Sequence, residues 1–535
     1  MKVNLRTTIG LLLTAGLCAL YATLPFIGAV SLVNVAVRLL VFFPLFIVII
    51  FVLYKIFPTL ITKLHCPKIE KLLYDSWSDH RFVMILWAIL LVCWTPTYLA
   101  YFPGIFGYDA PNQMQQILGL IPISAHHPLT HTAILGVFLE GGKLLFGDYN
   151  SGVAAFCLMQ GIAVTGSIAY AFLLMKMKKT PFPIMIVCFL GCVFHPLLQV
   201  LAFNTTKDIL FGVVFLHFTI RCYLWLTKQE EKTKKDMFWL IFWGIMTCLL
   251  RNQGKYIVLV LLVLCLLICR KERKFFISLG TVVIISQLFF TISTNVFGVV
   301  KTDVREMLSI PIQQMAFVCS QHMEDGDVNI TQEEFDKFTM LVDVEHIPNY
   351  SQETADPIKN NFKTEVMKQD LWGYLKLYFS VGLKNPGYYL MAIRNMIYPY
   401  WNMPMNQYVF LTVENTFPHL STEWGIEQTS ILPQYKEFLT KCLFYTMAKQ
   451  KVVILRFIQP GVCIWMMTAL LGISIIQNNK AGLVAALTLF LFFGTLLLGP
   501  IALLRYIYPL ALASPVIIAS LCNVLEESKM QSDKK

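Results

Sequence analysis

The chain has 535 residues, of which 56% are hydrophobic and only 14% charged, with a net charge of +11 and a mean hydropathy of +0.62. That composition lies outside the range of soluble globular proteins, and the apolar residues come in runs of about twenty, so a polytopic all-α membrane protein is expected. The positive balance reflects membrane topology and contact with anionic lipid, and gives no reason to propose a nucleic-acid partner.

In chain order, Lys2 and Arg6 precede an apolar run that continues to Val33. The run is too long for a signal-peptide core and has no small-residue cleavage motif, so it reads as a signal anchor. Twelve apolar spans follow the pattern: 8–30, 35–57, 82–101, 151–175, 181–201, 208–226, 236–250, 256–269, 275–297, 452–476, 482–499 and 503–524. The basic connectors are Lys55–Arg81, Lys176 with Lys178 and Lys179, Lys228–Lys235, Arg270–Lys274 and the C-terminal Lys529, Lys534 and Lys535. Twelve spans with both termini in the cytoplasm put all of these on the inner face. Leu129–Phe146 would make a thirteenth span and break that parity. It carries His131, Glu140 and Lys143, and is expected to lie along the outer interface or to re-enter.

Four segments result: two spans and a cytoplasmic linker at 1–81, a seven-span module at 82–297, an extracytoplasmic segment at 298–450, and three spans with a cytoplasmic tail at 451–535. Charge supports this division, since 298–450 holds 12 Lys+Arg against 18 Asp+Glu, a net of −6, and the remainder carries +17. Most of the 14 cysteines fall in apolar runs as small hydrophobes. Cys319 and Cys442 lie in the polar segment, where sequence leaves their pairing open.

Polar islands interrupt the apolar background at four places. The first, Tyr101–Thr132, holds Asp109 on a Gly/Pro-rich turn, then Asn112, Gln113, Gln115 and Gln116, then His126, His127 and His131. The second is Asn204-Thr205-Thr206-Lys207-Asp208, the third Arg251-Asn252-Gln253-Gly254-Lys255-Tyr256, and the fourth Arg505-Tyr506. Topology brings all four to the outer face. Ionisable groups beside a bilayer are costly, which marks the cluster as a site.

Lys207, Arg251, Lys255 and Arg505 are fixed cations suited to a phosphate whose lipid tail stays in the bilayer, with Tyr506 and Gln113 beside them. Asp109 and Asp208 are carboxylates able to act as general base, metal ligand or acceptor for sugar hydroxyls. His126 or His127 would assist the base. A phosphate leaving group, a cationic clamp and a carboxylate base are the requirements of glycosyl transfer from a lipid-phosphate sugar. The bland readings make Asp109 an N-cap, Lys207 and Asp208 a local pair, and Arg251 and Arg505 interface anchors. His127 and His131 at i, i+4 suggest a shared helix face, but no third zinc ligand accompanies them.

The motifs FPGIFGYDAPNQ, HHPLTHT, NTTKD, RNQGKY and LRYIYP resemble those of a bacterial multi-pass family of uncharacterised function related to the GT-C superfamily of polyprenyl-phosphate-sugar-dependent glycosyltransferases. The resemblance covers roughly 82–300 and fades in the C-terminal third. It implies a GT-C-like fold in a bacterial cytoplasmic membrane, a polyprenyl-phosphate-sugar donor, an extracytoplasmic site, and a cell-envelope glycan, glycolipid or protein as acceptor. It also implies that Asp109 is the catalytic base or a metal ligand. The early loops lack the acidic DE or DxD pair of that superfamily, so no cofactor is assigned and a divalent metal stays open.

In 298–450, Asp325–Glu334 partly matches an EF-hand loop but reads more simply as a capping box from Thr331 to Glu334. Asn395–Pro404, rich in Tyr, Trp and Pro, suits a sugar-stacking wall. The rival readings are a transporter or flippase of a lipid-linked or anionic glycan, and a glycan ligase or polymerase. Against transport, the chain shows no matching halves and its polar residues gather on one face.

Overall fold

The computed structural model describes residues 5–533 except 29–30, 229, 297, 325, 402–411 and 449–460. Its longer helices are α1 (Leu5–Thr23), α2 (Leu32–Lys63), α3 (Asp79–Ala100), α4 (Ala110–Ile117), α5 (Leu129–Phe146), α6 (Tyr149–Met177), α7 (Phe182–Phe194) and α8 (Pro196–Ala202). They continue as α9 (Lys207–Thr227), α10 (Lys234–Leu250), α11 (Gly254–Ile268) and α12 (Arg273–Val296). The polar segment contributes α13 (Ser309–Met323), α14 (Gln332–Leu341), α15 (Leu371–Lys384), α16 (Pro386–Ile397) and α17 (Pro433–Ala448). The chain closes with α18 (Gly461–Ile476), α19 (Lys480–Leu497), α20 (Leu504–Leu512) and α21 (Ser514–Asp533). Among the described residues, β pairing is limited to isolated bridges.

Eight of the described helices are long and apolar enough to cross a membrane, or ten if the bent pairs α7/α8 (51°) and α20/α21 (43°) each form one span. This is a helical membrane protein. Every expected span coincides with a helix where it is described, although part of 452–476 lies outside the described residues. α11 and α18 are shorter apolar helices.

α5, expected along the outer interface or re-entering, is a helix whose 18 residues are also long and apolar enough to cross. Of the polar residues that argued otherwise, two are turned inward or stacked and Glu140 is exposed. His131 is fully buried and Lys143 lies 5.3 Å over the Tyr149 ring, while Val137, Leu144, Leu145 and Phe146 face outward. α5 and α6 meet closely at Gly142 and Gly152, where a Cβ on Gly142 would stand 2.2 Å from the Gly152 nitrogen.

α9 is the central helix, with Phe211 and Phe215 packed against Phe492 of α19 at 5.3 and 5.1 Å between ring centroids. α2 has no buried residue in its most apolar stretch; it packs on one side, where Phe43 lies against Gly16 of α1 and Phe46 stands 6.1 Å from Trp465 of α18, and is exposed on the other.

The polar segment has its own core, with Ile312, Met315, Phe338, Leu377 and Val381 buried together. Thr331 and Glu334 form the expected capping box at α14. Asp325, in the acidic stretch before it, lies outside the described residues. Cys319 and Cys442 are free thiols. Residues 402–404 of the expected stacking wall also lie outside the described residues. Tyr400 and Trp401 pack against Phe493, at 5.9 and 5.5 Å; Tyr400 is buried and Trp401 half-buried.

Several hydrogen bonds tie the segment to the loops between the helices. Ala125 donates its N–H to the Val300 carbonyl (2.8 Å), Ala355 donates to the Pro500 carbonyl (2.8 Å), and Phe106 donates to Asn415 Oδ1 (2.9 Å).

Candidate active site

The loop carrying Asp109 is held by backbone pairing with the loop before α9. Ile105 donates to the Phe203 carbonyl (2.9 Å), Thr205 donates to the Ile105 carbonyl (3.0 Å), and Gly107 donates to Thr205 Oγ1 (3.2 Å). This close approach requires glycine at 104, where φ is +141° and a Cβ would sit 2.3 Å from Cys157 Sγ. Tyr108 takes a left-handed φ of 58°, an uncommon conformation for a residue with a side chain, and so points Asp109 at the start of α9.

Asp109 occupies the N-cap position of α4, yet its carboxylate makes no capping hydrogen bond. It turns instead to two cations. Lys207 Nζ lies 2.8 Å from Oδ2, and Arg505 reaches both oxygens, Nη1 to Oδ2 at 3.2 Å and Nη2 to Oδ1 at 3.4 Å. Burial would raise its pKa, but the charges of Arg505 and Lys207 outweigh that and hold it well below the usual carboxylate range. Asp109 is therefore ionised.

Lys207 and Asp208 do not pair with each other. Asp208, fully buried, is paired with Arg251 and lies 3.5 Å from Arg505 Nε, and it accepts from Thr206 Oγ1 at 3.1 Å. Arg505 also donates to Thr206 Oγ1 (2.7 Å) and stacks 4.1 Å over the Tyr108 ring. Neighbours in sequence thus answer charges from opposite ends of the chain.

His127 Nδ1 stands 3.3 Å from Lys207 Nζ and 3.8 Å from Asp109 Oδ2. An ammonium only donates, so Nδ1 is the acceptor and the imidazole is neutral. Burial and the Lys207 charge lower its pKa to about 3. His126 packs edge-on to His127 (4.6 Å), and its pKa is also lowered by burial and by Lys207. The loop is pinned by Asn252 Nδ2, which donates to the Ala125 carbonyl at 2.7 Å.

Beside this network is a cavity of about 100 Å³, lined by His126, Lys207, Arg251, Asn252, Gln253 and Tyr506, with Thr495, Leu496, Gly499 and Pro500 opposite. A wider cleft of about 370 Å³, lined by Trp225, Glu230–Lys232 and Lys271–Lys274, sits between the α9–α10 and α11–α12 connections, among charges already paired with one another. The smaller cavity is the candidate site, because the buried cations face it.

A family model described as a family of unknown function (DUF6020) matches residues 120–535. The chain belongs to the DUF6020 family. No curated protein and no solved structure matches it. The DUF6020 match takes in His126, His127, Lys207, Asp208, Arg251 and Arg505 and begins after Asp109.

In this DUF6020 protein the residues expected at the site divide in two. Asp109, His126, His127, Lys207, Asp208, Arg251, Arg505 and Tyr506 come together. Gln113 and Lys255 do not line the cavity. Gln113 is buried and donates to His131 Nδ1 (3.0 Å) and Thr132 Oγ1 (2.8 Å), while Lys255 stacks over Phe290 at 4.6 Å. His127 precedes the first turn of α5 and faces Lys207, whereas His131 is turned to Gln113, so the i, i+4 pair shares no face. Among the described residues no three His, Cys, Asp or Glu side chains gather as a metal site.

Sequence reasoning passed over Tyr108, Thr206, Asn252 and the Gly499–Pro500 wall. Thr206 and Asn252 stand inside polar islands already singled out. Tyr108 carried no signal beyond adjacency to Asp109.

Proposed function

We propose that this DUF6020 protein is an integral-membrane glycosyltransferase of GT-C type, moving a sugar from a polyprenyl-phosphate donor to a cell-envelope acceptor on the extracytoplasmic face of a bacterial cytoplasmic membrane. Twelve spans with both termini inside are part of this proposal, with α5 re-entering or lying along the outer interface although it is long and apolar enough to cross. The observation that carries it is the meeting of Asp109, from the first loop, with Lys207 and Arg505 beside a cavity that Lys207 and Arg251 line.

The five ionised groups are Asp109, Asp208, Lys207, Arg251 and Arg505, and their formal charges leave +1 in a largely buried site. An uncompensated buried charge is costly, so the site favours an anion. Roughly 100 Å³ is room for a few waters or one phosphate-sized group. The donor phosphate takes that place, held by Lys207 and Arg251, with its lipid chain in the bilayer.

Asp109 alone, held by two cations, is a weak base. A phosphate that engages Lys207 draws one of those cations away and raises the basicity of the carboxylate. Asp109 then takes the acceptor hydroxyl proton as the acceptor oxygen bonds to the anomeric carbon. The bond from that carbon to the phosphate oxygen breaks with inversion, and the polyprenyl phosphate leaves with the electron pair, stabilised by the same cations. Neutral His127 accepts from the Lys207 ammonium and keeps its orientation.

The test is transfer from a short-chain polyprenyl-phosphate hexose in proteoliposomes, with Asp109→Asn against wild type. We expect at least a roughly hundredfold loss, the scale of general-base catalysis. A correctly inserted variant with full transfer removes Asp109 as base.

A further inference from the structure

α15 carries two apolar faces. Tyr374, Leu377 and Val381 point into the core of the polar segment. A helix seated on a soluble domain shows polar residues on the opposite side. Here that side presents Trp372 (82% exposed), Phe379 (60%) and Leu383 (82%), with the exposed Lys376 between them. At 100° per residue these three side chains fall within about 40° of one another, forming a stripe about 17 Å long.

The surroundings of the next helix say what meets this stripe. α16 follows after Asn385 and exposes Leu390. Met391 on α16 packs on Gly28, in the connection between α1 and α2, so closely that a Cβ on Gly28 would stand 2.6 Å from Met391 Cγ. Trp401, after the turn that ends α16, stacks at 5.2 Å on Tyr21 of α1. The α15–α16 pair is thus anchored at the connection between α1 and α2, beside a helix whose most apolar stretch has no buried residue.

We propose that α15 is an interfacial helix whose Trp372–Phe379–Leu383 stripe lies in the leaflet surrounding the α1–α2 connection. Trp suits the headgroup boundary, Phe and Leu the acyl chains beneath it, and Lys376 is long enough to reach back to lipid phosphate. The placement does not depend on the reaction proposed above. It seats the polar segment on the membrane, so that a lipid-linked substrate needs no excursion into water to reach it.

The experiment uses the full chain in vesicles of phosphatidylethanolamine and phosphatidylglycerol, with a photoreactive Phe379→benzoylphenylalanine substitution. Leu383→benzoylphenylalanine is the second stripe position, and Lys337→benzoylphenylalanine, on the ion-paired face of α14, is the reference. Irradiation is expected to give phospholipid adducts by intact mass at 379 and 383, at least roughly tenfold above position 337. Covalent dimers at 379 would assign the stripe to a second copy of the chain and overturn the proposal. Equal lipid labelling at 337, or no lipid adduct at either stripe position, would overturn it as well.

Discussion

Asp208 offers the sharpest test of the buried network. Its side chain is fully buried, with Arg251 on one oxygen and Arg505 Nε at 3.5 Å from the other. Asp208→Asn keeps the shape and the contact with Thr206 but removes the negative charge, raising the formal charge of the cluster from +1 to +2. Breaking a buried pair by removing one partner costs about 3–5 kcal/mol. With an unfolding entropy of about 2.1 cal/mol/K per residue, cooperative unfolding of the 535-residue chain converts this to a midpoint lowered by about 3–5 °C. Nanodisc-embedded protein, followed by intrinsic fluorescence at one fixed scan rate, gives the comparison. Adding Arg251→Gln removes the stranded guanidinium and should recover most of the loss, whereas Glu333→Gln, which breaks the exposed pair with Lys337, should leave the midpoint essentially unchanged. A shift of under about 1 °C for Asp208→Asn would refute the reasoning that this charge is structurally required.

Three further outcomes follow from the same physics. Gly104→Ala must place a Cβ 2.3 Å from Cys157 Sγ at a φ of +141°, so it should destabilise by about 1–3 kcal/mol, read as a lowered midpoint in the same assay. Glu334 accepts from Lys384 (2.8 Å) and Ser380 (2.6 Å) and caps α14; burial would raise its pKa, but these donors bring it to about 2. Its contribution is therefore present above the ordinary glutamate range and lost as pH falls toward 2, so the protection of α14 amides, taken relative to the unstructured exchange rate at the same pH, should fall in acid for wild type but change little with pH in Glu334→Gln. His65 bridges Glu70 and Glu526, at 2.8 Å each; burial lowers its pKa, yet the two carboxylates prevail and raise it. This stabilisation is full below the ordinary histidine pKa and is lost as pH rises through the raised value, so the unfolding midpoint should drop across that rise. No such pH dependence should remain in His65→Gln.

The helices were readable because lipid leaves few choices: a backbone in hydrocarbon must satisfy its own hydrogen bonds, and runs of apolar residues therefore become helices. α5 is harder to place, because parity and the polar residues His131, Glu140 and Lys143 speak against a span while its length and apolar character allow one, and burial against Phe156 and Gln113 removes His131 from its surface. At the site, residue type and position at the ends of the apolar spans sufficed to gather Asp109, Lys207, Arg251 and Arg505. The pattern of pairing was not legible. Nothing in the string Thr206-Lys207-Asp208 tells that Lys207 answers Asp109 while Asp208 answers Arg251, since that depends on the direction in which α9 presents its first turn. Gln113 was misplaced for a related reason: an amide near an aspartate reads as a site residue until its helix face is known, and this one faces His131 and Thr132.

That crossed pairing also bears on why the cluster holds two carboxylates. Asp208 binds Arg251 and Arg505 from below and fixes them as a rigid platform, its partners almost entirely buried. Asp109 shares Arg505 but has Lys207 as its second partner, and Lys207 alone combines a flexible stem with a place on the cavity wall. A guanidinium locked by a buried carboxylate cannot leave it without stranding a charge, so the platform is static. An ammonium on a four-carbon chain can turn from carboxylate to incoming phosphate at little cost. In the proposed reaction, the division of labour is therefore set by burial: the deeper carboxylate holds the cations in place, and the shallower one is free to change partners when the donor arrives.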